Sequence, residues 1–165
     1  MDNLLMTKNP VRIYADTSVY GGVFDDEFQK ASNCFFDAIR EKRFQLVVSD
    51  IIRREIAVAP EPVLSLFNEM LILAEVAEVT EDALHLRSAY MKEGILGPRW
   101  VDDALHVAIA TVSRCDMIIS WNFKHIVHFN KIPLYNAVNT LHGYNNILIY
   151  SPLEVIGYGA EDQDI

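Results

Sequence analysis

Three acidic side chains stand where short apolar stretches hand over to helical ones. Asp16 ends the run Val11-Arg12-Ile13-Tyr14-Ala15, Glu55 lies in the helical stretch that follows Phe44-Gln45-Leu46-Val47-Val48, and Asp103 follows Asp102 at the start of another helical stretch. In an open α/β sheet, ligands bind at the carboxyl ends of the strands. Carboxylates gathered there repel one another unless a cation joins them, and a hard oxygen donor set favours Mg²⁺ or Mn²⁺. The chemistry this predicts is metal-assisted hydrolysis of a phosphodiester, in which the cation activates water and stabilises charge on the phosphate.

Each of these residues also has a plainer reading. Asp16 can cap the turn that follows it, and the hydroxyls of Thr17 and Ser18 can bond its carboxylate or satisfy loop amides. Asp102 and Asp103 are favoured at a helix start by the macrodipole. His106 lies one helical turn beyond both, within reach of either, and its plainer reading is a core histidine bonded to a neighbouring carboxylate. Glu55, close to Arg53 and Arg54, can be a solvated helix residue in a weak ion pair. Asp25, Asp26 and Glu27 read as surface charges near a helix start. No histidine has a clear nucleophile partner, so a Ser-His-Asp arrangement is not suggested.

The bulk properties set bounds. A chain of 165 residues with 51% hydrophobic content is sized for one domain, 1–165, with a real core. The net charge of −9 argues against tight, non-specific binding to long duplexes, whose affinity comes from Lys and Arg on phosphates. It leaves a nuclease open, because metal-site carboxylates contribute negative charge that bound cations offset. Cys34 and Cys115 lack metal-ligand spacing and read as buried thiols in a reducing compartment. No apolar run approaches the ~18–20 residues that span a bilayer, and residues 1–8 lack the basic start and apolar core of a signal peptide. The expectation is a soluble cytoplasmic protein.

The elements that must position the acidic residues follow from periodicity. Strands are predicted over 11–16, 44–48, 76–79, 117–120 and 147–150. Helices are predicted over 26–43, 50–58, 63–74, 81–92, 101–113 and 132–142, with a helical turn at 123–127. Gly21-Gly22 reads as a loop, and Pro60 and Pro62 as a break between helices. Ser49 or Asp50, and Thr80, are the expected N-caps. Strands alternating with helices imply a parallel sheet covered on both faces, an α/β fold in three layers, α/β/α, with a mostly parallel central sheet. The core spans about 11–154 and a polar acidic tail follows.

The segments Asp16-Thr17-Ser18, Glu55 one helix after the next strand, and Asp103-Ala104-Leu105-His106-Val107-Ala108-Ile109-Ala110 together resemble the PIN-domain nucleases, with the VapC-like toxin ribonucleases as the nearest branch. Asp116-Met117-Ile118-Ile119-Ser120-Trp121-Asn122-Phe123 looks like that family's fourth motif. The resemblance runs from about Val11 to about Glu154. It implies a PIN-like fold, Mg²⁺ or Mn²⁺ as cofactor, and Asp16, Glu55 and Asp103 as catalytic metal ligands. The fourth position, often Asp in the family, is Asn122 here, which can offer an oxygen but no charge. Asp102 is a weaker substitute for that charge, and Asp116 reads as structural.

The resemblance further implies hydrolysis of single-stranded or looped RNA by a metal-dependent endoribonuclease, the toxin of a toxin–antitoxin pair, with an antitoxin partner and a homodimeric state. Ser18, Arg99 and Lys124, with Arg53, Arg54 and His125, are the candidate substrate contacts, while Tyr20 and Trp121 are candidates for stacking on bases. The competing class is a PIN-fold RNA- or protein-binding module with weakened catalysis, which the Asn122 change and the acidic surface support. A phosphatase with Asp16 as nucleophile is the weaker third reading, because Ser18 stands where haloacid-dehalogenase-type enzymes carry a second Asp.

Overall fold

The computed structural model describes residues 9–157. The acidic tail and the N-terminal residues 1–8 lie outside the described residues. The central sheet has five strands in the order β3-β2-β1-β4-β5, and every neighbouring pair is parallel. The strands are β1 Val11–Ala15, β2 Phe44–Ser49, β3 Glu75–Ala77, β4 Met117–Ile119 and β5 Leu148–Tyr150. Ile13 of β1 pairs with Leu46 on one side and Met117 on the other. The central strands read as continuous apolar runs because both of their faces are covered; Ile13, Leu46, Val47, Ile118 and Ile119 are fully buried.

From β1 in the middle of the sheet the chain runs outward through β2 and β3, then crosses to β4 and β5 on the other side of β1. The strand order therefore reverses between β1 and β4. Such a switch point opens a crevice at the carboxyl ends of the two strands, and Asp16 is the residue that leaves β1 there.

Among the described residues seven α-helices lie between the strands and an eighth follows β5: α1 Thr17–Gly22, α2 Gln29–Arg40, α3 Asp50–Ile56, α4 Glu61–Leu71, α5 Glu81–Lys92, α6 Val101–Val112, α7 Ile132–Leu141 and, last, α8 Pro152–Val155. Ser49 caps α3 by accepting the Ile52 N–H, and Thr80 caps α5 by accepting the Ala83 N–H. α6 is buried without interruption from Ala104 to Thr111, so its two aspartates mark the point where a core helix reaches the surface.

Three expectations are corrected. The loop at Gly21-Gly22 is the end of helix α1. A Cβ on Gly22 would lie 2.5 Å from Ser32 Oγ and 2.7 Å from Trp121 Nε1, so glycine is needed there for close approach and not for a turn. Pro62 lies inside the first turn of α4, where its missing N–H has no intrahelical partner to lose. α2 starts later than expected and ends earlier: the Asp25 carboxylate accepts the Glu27 N–H in a turn before it, and Lys42 takes a φ of 59° just after it. The turn expected at 123–127 is present, closed by the Ile126 and Val127 N–H groups on the Asn122 carbonyl.

Candidate metal centre and its rim

Asp16 occupies the N-cap position of α1, yet its side chain makes no capping bond. The carboxylate instead accepts the Ser18 hydroxyl on Oδ1 (2.5 Å) and the Ser120 hydroxyl on Oδ2 (2.8 Å). Ser120 directly follows β4, so this second bond crosses the switch point. The Asp16 N–H also crosses it, donating to the Ile119 carbonyl (3.1 Å). Asp16 is 5% exposed. Burial pushes its pKa up; the charge of His106 and the two serine hydroxyls oppose that shift, and the charge of Glu55 adds to it.

Glu55 projects from α3, and its Oε1 lies 2.6 Å from His106 Nε2. The His106 ring is buried. Its Nδ1 lies 2.7 Å from the Tyr14 hydroxyl, which in turn lies 2.7 Å from Ser49 Oγ. Both ring nitrogens are thus engaged, and the chain of bonds returns to the N-cap of the helix that carries Glu55. Burial favours neutral forms of both partners, but the bond and the mutual charge outweigh it: the Glu55 pKa is lowered and the His106 pKa raised. Asp16 and Asp103 also raise His106, so all three candidate ligands bear on one imidazole. His106 was expected to contact Asp102 or Asp103; its carboxylate partner is Glu55.

Asp103 lies in the first turn of α6, and its Oδ2 is 2.8 Å from His125 Nδ1. Asn122 Oδ1 accepts the His125 N–H (3.0 Å), so the amide caps the turn that presents His125. Asp102 is exposed and lines a separate hollow with Asp50, Arg54 and Arg87. Ser18 serves the centre more than its rim: besides donating to Asp16, its hydroxyl accepts the Trp121 N–H (2.8 Å). Arg53, Arg54, Arg99 and Lys124 are exposed. Asp116 accepts the Arg12 N–H between neighbouring strands, a structural role.

Tyr20 and Trp121 do not serve as surface stacking rings. Tyr20 is fully buried against Phe36 and Phe67. Trp121 stacks on Phe28 and donates its indole N–H to Ser32. Both sit where core packing between α1, α2 and the loop after β4 places them. The residues the sequence did not flag are Ser120 and Trp100. Ser120 could have been found from its place at the end of the strand beside β1, and Trp100 from its place in a loop just ahead of an acidic helix start. Cys115 is buried, which pushes its thiol up to about 12, and Cys34 is half-buried.

The donor chemistry fits a hard divalent cation. Glu55 bonds the His106 imidazole, Asp16 and Asp103 act on its charge, and the Thr17 hydroxyl, next to Asp16 in the chain and near enough to favour the charged form of Glu55, is buried without a hydrogen-bond partner. Such an orphaned oxygen marks room for a further polar group. The side chains as they stand do not form a closed cage: among the described residues no three His, Cys, Asp or Glu side chains are arranged to share one ion. Glu55 is turned onto His106, and Asp103 onto His125.

No protein-family model and no curated sequence matches the chain. Solved structures do. A chain of VapBC2 from Rickettsia felis, crystallised bound to a DNA fragment from the promoter, is 14% identical, with 86% of this chain and 98% of that one covered and a TM-score of 0.57. A chain of DNA-bound VapBC from Salmonella typhimurium is 14% identical over the same shares, with a TM-score of 0.54. A chain of FitAcB from Neisseria gonorrhoeae is 13% identical over the same shares, again with a TM-score of 0.54. The chain therefore has a PIN-like α/β/α fold built on a wholly parallel five-stranded sheet.

Proposed function

We propose that this chain is a divalent-metal-dependent endoribonuclease acting as the toxin of a toxin–antitoxin pair. The observation that carries this reading is the buried Asp16 carboxylate at the switch point of the sheet, near enough to His106, the partner of Glu55, to raise its pKa, as Asp103 also does. A buried carboxylate such as Asp16, with its charge disfavoured by burial, is stabilised by a bound cation. Asp16, Glu55 and Asp103 would hold Mg²⁺ or Mn²⁺, which would activate water near neutral pH and stabilise charge on the phosphate. Ser18 and Ser120 hold the Asp16 carboxylate in place, and His106 holds that of Glu55. The likeness to VapBC and FitAcB chains supports an antitoxin as partner, and we take the chain to be a homodimer working in the cytoplasm.

The test is cleavage of single-stranded RNA by the purified chain with Mn²⁺, with Mg²⁺ and with EDTA, alongside Asp16→Asn. Metal-dependent cleavage that the substitution abolishes supports the reading. Cleavage that survives both EDTA and the substitution places the chemistry elsewhere.

A specific observation favours the second reading, a PIN-fold binding module with weakened catalysis. Glu55 and Asp103 are each tied to a histidine, and Asn122 spends its oxygen on a backbone N–H. Under that reading the chain binds RNA without cutting it, and the same assay separates the two.

A further inference from the structure

With Tyr20 and Trp121 in the core, Trp100 is an exposed aromatic ring tied to the candidate carboxylates through His125. It ends the 3₁₀ turn Pro98–Trp100, immediately before α6, and keeps 36% exposure. Its indole packs on the His125 imidazole at 4.2 Å between centroids and 34° between planes, and that imidazole bonds Asp103. The Arg99 guanidinium lies 5.1 Å from the indole centroid. The ring is therefore held in place by a group that is itself held by a candidate site residue, and a cation accompanies it. A surface ordered in advance loses little freedom on binding.

Charge bears on what such a surface would bind. With 23 acidic residues against 14 Lys and Arg, general attraction to phosphates is weak, and affinity for nucleic acid must come from contacts that charge does not govern. Base–aromatic stacking is such a contact, and it requires an unpaired base. We propose that Trp100 is the stacking site for an unpaired base of single-stranded RNA, with Arg99 as the accompanying cation. The proposal rests on reading the chain as a protein that handles RNA.

The test is fluorescence anisotropy with a labelled hexanucleotide RNA in EDTA, where metal-dependent cleavage stops, using wild type, Trp100→Leu and Trp100→Phe. Trp100→Leu is expected to bind roughly tenfold more weakly, the scale of one stacked base, and Trp100→Phe to stay within about threefold of wild type. A single abasic residue moved along the RNA is expected to weaken wild-type binding by a similar factor at one position, and to have no such effect on Trp100→Leu. The abasic scan on wild type needs no substitution, so a folding defect in Trp100→Leu does not blur the result. Unchanged affinity in Trp100→Leu, or a flat abasic scan on wild type, overturns the stacking site. A chain that cuts no RNA with any metal, yet shows the Trp100-dependent binding, refutes the nuclease and upholds the stacking site. Metal-dependent cleavage with an unchanged KM in Trp100→Leu does the reverse.

Discussion

His106 Nε2 lies 2.6 Å from Glu55 Oε1, joining the middle of α6 to α3 across 51 positions of sequence. The two pKa values move in opposite directions, as they do for an ion pair, with Glu55 below its ordinary 4.5 and His106 above its ordinary 6.5. The stabilisation from Glu55 is present above 4.5 and is lost as pH falls through its lower folded value. That from His106 is complete below 6.5 and is lost as pH rises through its higher folded value. The pair therefore stabilises most between about pH 4.5 and 6.5. Urea unfolding across pH 4 to 9 is expected to show a decline on the alkaline side of this window that Glu55→Gln removes. A decline of the same shape in Glu55→Gln would assign it to other groups.

Asp16 has the opposite sign. Its pKa is raised by burial, so its charged form weighs against the fold at neutral pH. Asp16→Asn is expected to match or exceed the wild type in urea midpoint at pH 7, while calorimetric Mn²⁺ binding is lost. A residue that costs stability yet is needed for binding is the mark of a functional site. A clear fall in stability at pH 7 would make Asp16 a structural residue instead.

Asn122 is expected to act as a cap. Asp caps about as well as Asn, so Asn122→Asp should leave stability and the Mn²⁺ isotherm close to wild type, while Asn122→Ala should destabilise by about 1 kcal/mol. Asp103→Asn is the control that weakens metal binding. Tighter Mn²⁺ binding in Asn122→Asp would bring position 122 into the metal centre.

The adjacent glycines of α1 are expected to respond differently. Gly22→Ala drives a methyl group into Ser32 and Trp121, which are bonded to each other, and should destabilise by roughly 1–3 kcal/mol. Gly21→Ala meets nothing within 4 Å and should be neutral or slightly stabilising. Equal effects in urea titration would mean that the close approach at Gly22 is relaxed in solution.

Much of this architecture was legible locally. Strands such as 44–48 read clearly because a parallel strand covered on both faces is a run of apolar residues. Thr80 and Ser49 read as caps because a cap bond spans three residues. The placement of Asp16 just after β1 followed from the same patterns. Gly21-Gly22 misled, because a glycine kept for close approach looks in sequence like one kept for a turn.

The sequence by itself determined the alternation of strands and helices, and with it the end of β1 at which Asp16 lies. Only the tertiary structure decided their partners: Glu55 with His106, Asp103 with His125, Asp16 with Ser120. It also decided which aromatic rings enter the core and that Trp100 remains exposed. The physical reason is range. Periodicity and capping are properties of a few neighbouring residues, whereas a hydrogen bond between side chains as much as 104 positions apart exists only once the strand order has set which elements pack side by side.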